Sequence, residues 1–177
     1  MISTKRRLRT LVSGLSSDAH MWNLVYLQLL LEDRGHQVSN LGSTTPDAEI
    51  LRACRTERPD LLVISSVNGH GRLDGLRLIR ALRAVPALRG LPVVIGGKLG
   101  VDGGPGVDGK LGAGGRDHAS ATTARLTAAG YDAVFDDAAE GGPEAGLLRF
   151  EAFLAALAAR SDGRPLTRSA AGPGAAA

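Results

Sequence analysis

Aromatic residues make up 3% of the 177-residue chain, and there is one cysteine, Cys54. The first shortage means that Leu, Val, Ile and Ala must fill the core. The second excludes an internal disulfide and a cysteine-based zinc cluster. No apolar run reaches the ~20 residues needed to span a bilayer, so no membrane partner is expected. Basic residues gather at Lys5, Arg6, Arg7 and Arg9, but no long apolar segment follows them. A signal peptide is therefore not expected, a cytoplasmic location is, and the basic patch reads as a solvated N-terminus. No basic stripe is interleaved with aromatics, which argues against nucleic acid as a partner. What remains is an ordinary globular composition, 44% hydrophobic and 22% charged with a net charge of +3, long enough for one domain with a full core.

Strand-like and helix-like stretches alternate along the chain. Residues 9–15, 37–41, 60–65, 91–95 and 132–135 read as strands. The third, "DLLVIS", and the fourth, "LPVVI", are near-continuous apolar runs of the kind buried on both faces of a parallel sheet. Between and after them, residues 22–33, 46–58, 72–85, 117–129 and 144–159 read as helices. Gly35 suits the end of the first. Thr45 suits the cap of the second, with Pro46 in its first turn. Apolar residues Leu73, Leu76, Ile79 and Leu82 are expected to face inward on the third, and Trp22 to pack within the first. Five such units predict an α/β, flavodoxin-like, doubly wound five-stranded parallel sheet of order 2-1-3-4-5, forming one domain over residues 1–159. The Gly-rich loop 97–116 is far longer than such connections usually are. The tail 160–177 is expected to be disordered.

In that order the strand sequence reverses between the first and third strands, and ligands bind at their carboxyl ends. The two loops there are "SSDAHMWN" and "SSVNGHG". A signal-receiver reading fails, because the third strand ends in Ser65-Ser66 instead of an aspartate and no lysine follows the fifth. A flavin-phosphate loop would need glycine and small residues where the Met-Trp pair stands. No G-x-G-x-x-G follows the first strand, so a dinucleotide site lacks its fingerprint.

The ordered set "DAH", "SSV" and "GG" resembles the base-off, His-on cobalamin-binding domain, whose signature is D-x-H-x-x-G, then S-x-L, then G-G. Over Leu11 to Phe135 the segments "SDAH", "NLGSTTP", "VISSVNGHG", "VIGGK" and "AGYDAVF" are most similar to the cobalamin-carrying small (sigma) subunits of glutamate (methylaspartate) mutases. The resemblance implies that His20 is the lower axial ligand of cobalt and that Asp18 orients it through the other ring nitrogen. It implies that Ser65 anchors the displaced nucleotide tail of the cofactor and that Gly96 and Gly97 keep side chains out of its way. Ser17, Ala19, Val67 and Gly69 complete the expected cofactor contacts. Two positions depart from the signature: Asn23 replaces its last glycine, and Val67 its leucine. Taken singly, each residue has an ordinary explanation. Asp18 could be a helix cap, Gly96-Gly97 a tight turn, and His20 a loop residue; His70 is a loop residue or faces the corrin, and Trp22 packs with its helix or lies over the corrin edge. His36 and His118 read as surface.

The implied activity is that of the cofactor subunit of an adenosylcobalamin-dependent carbon-skeleton mutase, an isomerase converting L-glutamate to 3-methylaspartate. The chain would be inactive alone and would need a large catalytic subunit for the substrate, with loop 97–116 expected to dock there. Alternatives are a corrinoid methyl carrier, a cobalamin-dependent sensor, and a protein of this fold that has lost the cofactor.

Overall fold

The computed structural model describes residues 6–99 except Gly69 and residues 113–161 except Gly141, with the side chains of 113–117, 138 and 161 left aside. The middle of the Gly-rich loop, its expected docking role, and the tail beyond residue 161 lie outside the described residues.

Five strands, β1 (Arg9–Gly14), β2 (Gln37–Asn40), β3 (Leu61–Ser66), β4 (Val93–Gly97) and β5 (Ala133–Asp136), form one parallel sheet of order β2-β1-β3-β4-β5. The expected architecture is thus the observed one. The helices are α1 (Trp22–Asp33), α2 (Asp47–Glu57), α3 (Gly71–Ala84), α4 (Ala113–Ala129), the short α5 (Asp137–Glu140) and α6 (Pro143–Ser161). Successive strand side chains point to opposite faces, and both faces are covered. Leu11, Leu62, Ile64, Val93 and Ile95 pack with residues of α2, α3 and α4 such as Ile50, Ile79 and Leu126. Val12, Leu61, Val63, Val94 and Phe135 pack with Leu24 and Leu31 of α1 and Phe150 and Leu154 of α6. All six β3 residues are buried, which is why that strand shows no polar alternation. Cys54 belongs to the first of these clusters, and burial pushes its thiol up to about 12.

Several local expectations are corrected. Pro46, in extended backbone, is itself the N-cap of α2. The Thr45 hydroxyl turns back to donate to the Gly42 carbonyl at 3.0 Å and does not cap the helix. Gly96 and Gly97 do not close β4 but are its last two residues, in register with Ser65 and Ser66. The helix expected from 117 begins at Ala113, so the Gly-rich connection is shorter at that end. Arg160 and Ser161 belong to α6, not to the tail. α5 had no helical period long enough to notice. His36 is buried, its Nδ1 accepting from the Leu8 amide at 3.3 Å, because the turn after α1 folds it under β1. Leu73 and Trp22 are exposed, Trp22 at 86%. It stands on the outer side of α1, so it does not pack within that helix. At the N-terminus Arg6 is not simply solvated but pairs with Asp60 at 2.8 Å. Among the described residues, no helix is long and apolar enough to cross a membrane.

Candidate cofactor site

The strand order reverses between β1 and β3, so their following loops part to opposite sides and leave a crevice. The loop after β1 is locked from three directions. The Asp18 amide donates to the Leu15 carbonyl at 3.0 Å, the Thr44 amide donates to the Asp18 carbonyl at 2.8 Å, and Asn68 Nδ2 donates to the Ser17 carbonyl at 2.6 Å. Polar ties of this number hold a loop as firmly as a short element and fix the direction of its side chains.

Asp18 is the centre of the arrangement. Its Oδ1 accepts from the backbone amide of His20 at 3.0 Å and from His20 Nδ1 at 2.7 Å. Its Oδ2 accepts from the Val67 amide at 2.6 Å, joining the β1 loop to the β3 loop. The side chain is 1% exposed. Burial works to raise its pKa, but the bonds from the His20 and Val67 amides, the His20 ring and Ser66 outweigh it and hold the carboxyl below the usual aspartate value. An ionised carboxylate has no proton to give, so Nδ1 must carry the hydrogen of this pair. In the neutral ring the lone pair is then on Nε2. The His20 side chain is 60% exposed and presents that atom from the loop. An exposed imidazole whose second nitrogen is pinned by a buried carboxylate is a ready axial donor. Among the described residues, no group of three His, Cys, Asp or Glu side chains could hold a metal ion.

Beside this loop lies a cavity of about 340 Å³ between α1, the ends of β3, β4 and β5, and α6, within the size range of ligand pockets. Ser65, Val67, Gly96 and Gly97 line it, with Tyr26, Leu27, Phe135 and Phe150 among its apolar walls. Asp137 also reaches it; burial raises its carboxyl and Lys98 draws it part of the way back. Ser65 Oγ accepts from Asn23 Nδ2 at 2.6 Å. Sequence-based candidates thus fall in two groups. Asp18, His20 and Val67 are joined by hydrogen bonds, and Ser65, Val67, Gly96 and Gly97 share the cavity. Ser17 and Ala19 are exposed on the β1 loop; the Ser17 hydroxyl bonds to Asp74. Gly69 lies outside the described residues. His70 is exposed and His118 is too.

The glycine pair has a reason within the sheet, beside the one expected. A Cβ on Gly97 would stand 2.2 Å from the Ser66 carbonyl oxygen, at a φ of +105°. One on Gly96 would stand 3.1 Å from the Phe135 carbonyl oxygen. The β3 carbonyl itself demands glycine at position 97, before any ligand does, and the β5 carbonyl leaves little room for a side chain at position 96. Asn68, the Asn23–Ser65 bond and the α6 wall had no signal in the sequence, since each depends on contact between distant segments. Arg77 is another such case. It ties Asp47, at 2.7 Å, to Asp74 and to the Ser16 hydroxyl under the same loop.

Residues 8–102 match the family described as the B12 binding domain. The chain is 34% identical over 67 residues to glutamate mutase sigma subunit 1 of Haloarcula marismortui, covering 37% of this chain and 44% of that one. It is 30% identical over 74 residues to the glutamate mutase sigma subunit of Treponema denticola, covering 41% and 53%. The matches thus span about half the length of these curated relatives. A solved cobalamin-binding protein from Desulfitobacterium hafniense DCB-2 superposes with a TM-score of 0.53 at 19% identity, covering 82% of this chain and 59% of that one, a likeness of fold.

Proposed function

The chain belongs to the B12-binding domain family, and on that premise we propose that it is the cofactor-carrying subunit of a glutamate mutase-like, adenosylcobalamin-dependent carbon-skeleton mutase. The observation that carries the cofactor reading is the Asp18–His20 pair, with Nδ1 held at 2.7 Å and the ring exposed. The mutase reading is supported by the glutamate mutase sigma subunits that the chain resembles.

In this reading His20 Nε2 would be the protein's donor to cobalt, and Asp18 fixes the tautomer and aim of the ring. The cavity under Ser65 would hold the nucleotide tail of the corrinoid, with the Ser65 hydroxyl as a hydrogen-bond donor to it. Bound adenosylcobalamin would supply an organic radical for hydrogen abstraction. A large partner subunit would hold the substrate against the exposed face of the corrin.

The test is a visible spectrum of the full chain with cobalamin, then mutase turnover after mixing with a glutamate mutase large subunit. Wild type should give the histidine-ligated, base-off spectrum, and His20→Ala should lose it while remaining folded, since its side chain packs little. An unchanged spectrum and affinity in His20→Ala would overturn the ligand assignment. Ligated cobalamin without turnover in any such mixture would leave a cobalamin carrier and remove the mutase.

A further inference from the structure

Asn23 stands where the resembled signature has glycine, and it changes what the cavity offers. It is the second residue of α1 and lines the cavity beside Ser65. Its Nδ2 donates to Ser65 Oγ at 2.6 Å. The serine oxygen is therefore used as an acceptor, and among the described hydrogen bonds its own proton has no acceptor. Asn23 Oδ1 is buried and has no partner. The other orphaned buried atoms among the described residues are the hydroxyls of Thr10 and Thr123, and neither residue lines this cavity. A buried carbonyl left unpaired is costly, and natural sites rarely keep one without use.

Two adjoining side chains at this cavity thus hold a hydroxyl proton without an acceptor, on Ser65, and a carbonyl oxygen without a donor, on Asn23. The remaining walls, including Tyr26, Leu27, Val63, Val94 and Phe150, are largely apolar. That combination fits a flat heteroaromatic base with both a ring nitrogen to accept and an N–H to give. We propose that Asn23 reads the buried base of the corrinoid tail, and that the cavity takes an amino-bearing purine in preference to an alkylbenzimidazole. The inference rests on the corrinoid reading above. An alkylbenzimidazole can accept from Ser65 but has no N–H for Asn23 Oδ1, so it would seal that oxygen in unpaired. A site built around a hydrogen bond discriminates through the bond the wrong ligand leaves unmade.

The experiment titrates the full chain with three corrinoids, followed by visible absorption: a complete cobamide with an adenine base, one with a dimethylbenzimidazole base, and a tail-less cobinamide. Wild type should bind the adenine form about tenfold more tightly than the dimethylbenzimidazole form, the effect of one net hydrogen bond. In Asn23→Gly and in Asn23→Ala the two complete forms should bind alike. Cobinamide should bind all three proteins equally, which reports that the loop still folds. Equal affinity of wild type for the two complete forms, or a preference that survives in both variants, overturns the inference and leaves the corrinoid reading intact. Failure of wild type to bind any corrinoid overturns both.

Discussion

Replacing Asp18 by asparagine changes one atom and disturbs three hydrogen bonds. In wild type Oδ1 accepts from the His20 amide at 3.0 Å and from Nδ1 at 2.7 Å, and Oδ2 accepts from the Val67 amide at 2.6 Å. Every partner is a donor, so a carboxamide must turn its NH2 toward at least one of them. Facing Val67, it loses a charge-assisted bond and sets two donors against each other. Facing His20, it forces Nδ1 to accept, moves the ring proton to Nε2 and abolishes the free lone pair. Hydrogen bonds to a charged group contribute roughly 1.5–3 kcal/mol, and neutral ones about 1. Losing one and weakening the others, less the relief of burying a charge, gives a cost of about 2–3 kcal/mol at pH 7. Urea unfolding should show a midpoint lower by about 1 M. The pH dependence follows from the Asp18 carboxyl lying below its ordinary value of 3.8 in the folded chain. Its contribution is complete above that value and disappears as pH falls through the folded one. The gap between wild type and Asp18→Asn should be the same at pH 7 and pH 5 and close below about pH 4. Corrinoid affinity should fall roughly 10–100-fold, as for other residues that orient a metal ligand. An unchanged urea midpoint at pH 7, or a gap that persists in acid, refutes the carboxylate-centred account of this loop.

Gly97→Ala should cost at least about 3 kcal/mol, since the new methyl would meet the Ser66 carbonyl at 2.2 Å in left-handed backbone, whereas Gly90→Ala, with nothing within 4 Å, should stay within about 0.5 kcal/mol in the same thermal melts. Tyr131→Phe removes the bond from the buried phenol to the Gly75 carbonyl at 3.0 Å and should cost about 1 kcal/mol by urea unfolding, with corrinoid binding untouched because the residue packs on the opposite face of the sheet.

Much of the molecule was legible in one dimension. The apolar runs "DLLVIS" and "LPVVI" could only be strands covered on both faces, and their alternation with amphipathic stretches left few topologies besides the doubly wound sheet. Asp18 and His20 are two residues apart, so their pairing is local, and its chemistry was suggested by the resemblance of "DAH" and the motifs that follow it to a known signature. Ser65 and the glycine pair were visible as strand ends. What tertiary structure alone decided is everything that depends on neighbours far along the chain. Asp18 acquired a second role when the Val67 amide, 49 residues away, came to its other oxygen. Gly97 was explained by the β3 carbonyl beside it, a contact created by register. Asn23 read as a lapse in a motif until it met Ser65, 42 residues on. His36 changed from a surface residue to a buried one through the fold of a single turn, and Trp22 went the other way. The physical reason is common to these cases. Periodicity and backbone preference act over a few residues and are written in sequence order, whereas packing and hydrogen-bond partners are set by which elements the sheet brings side by side.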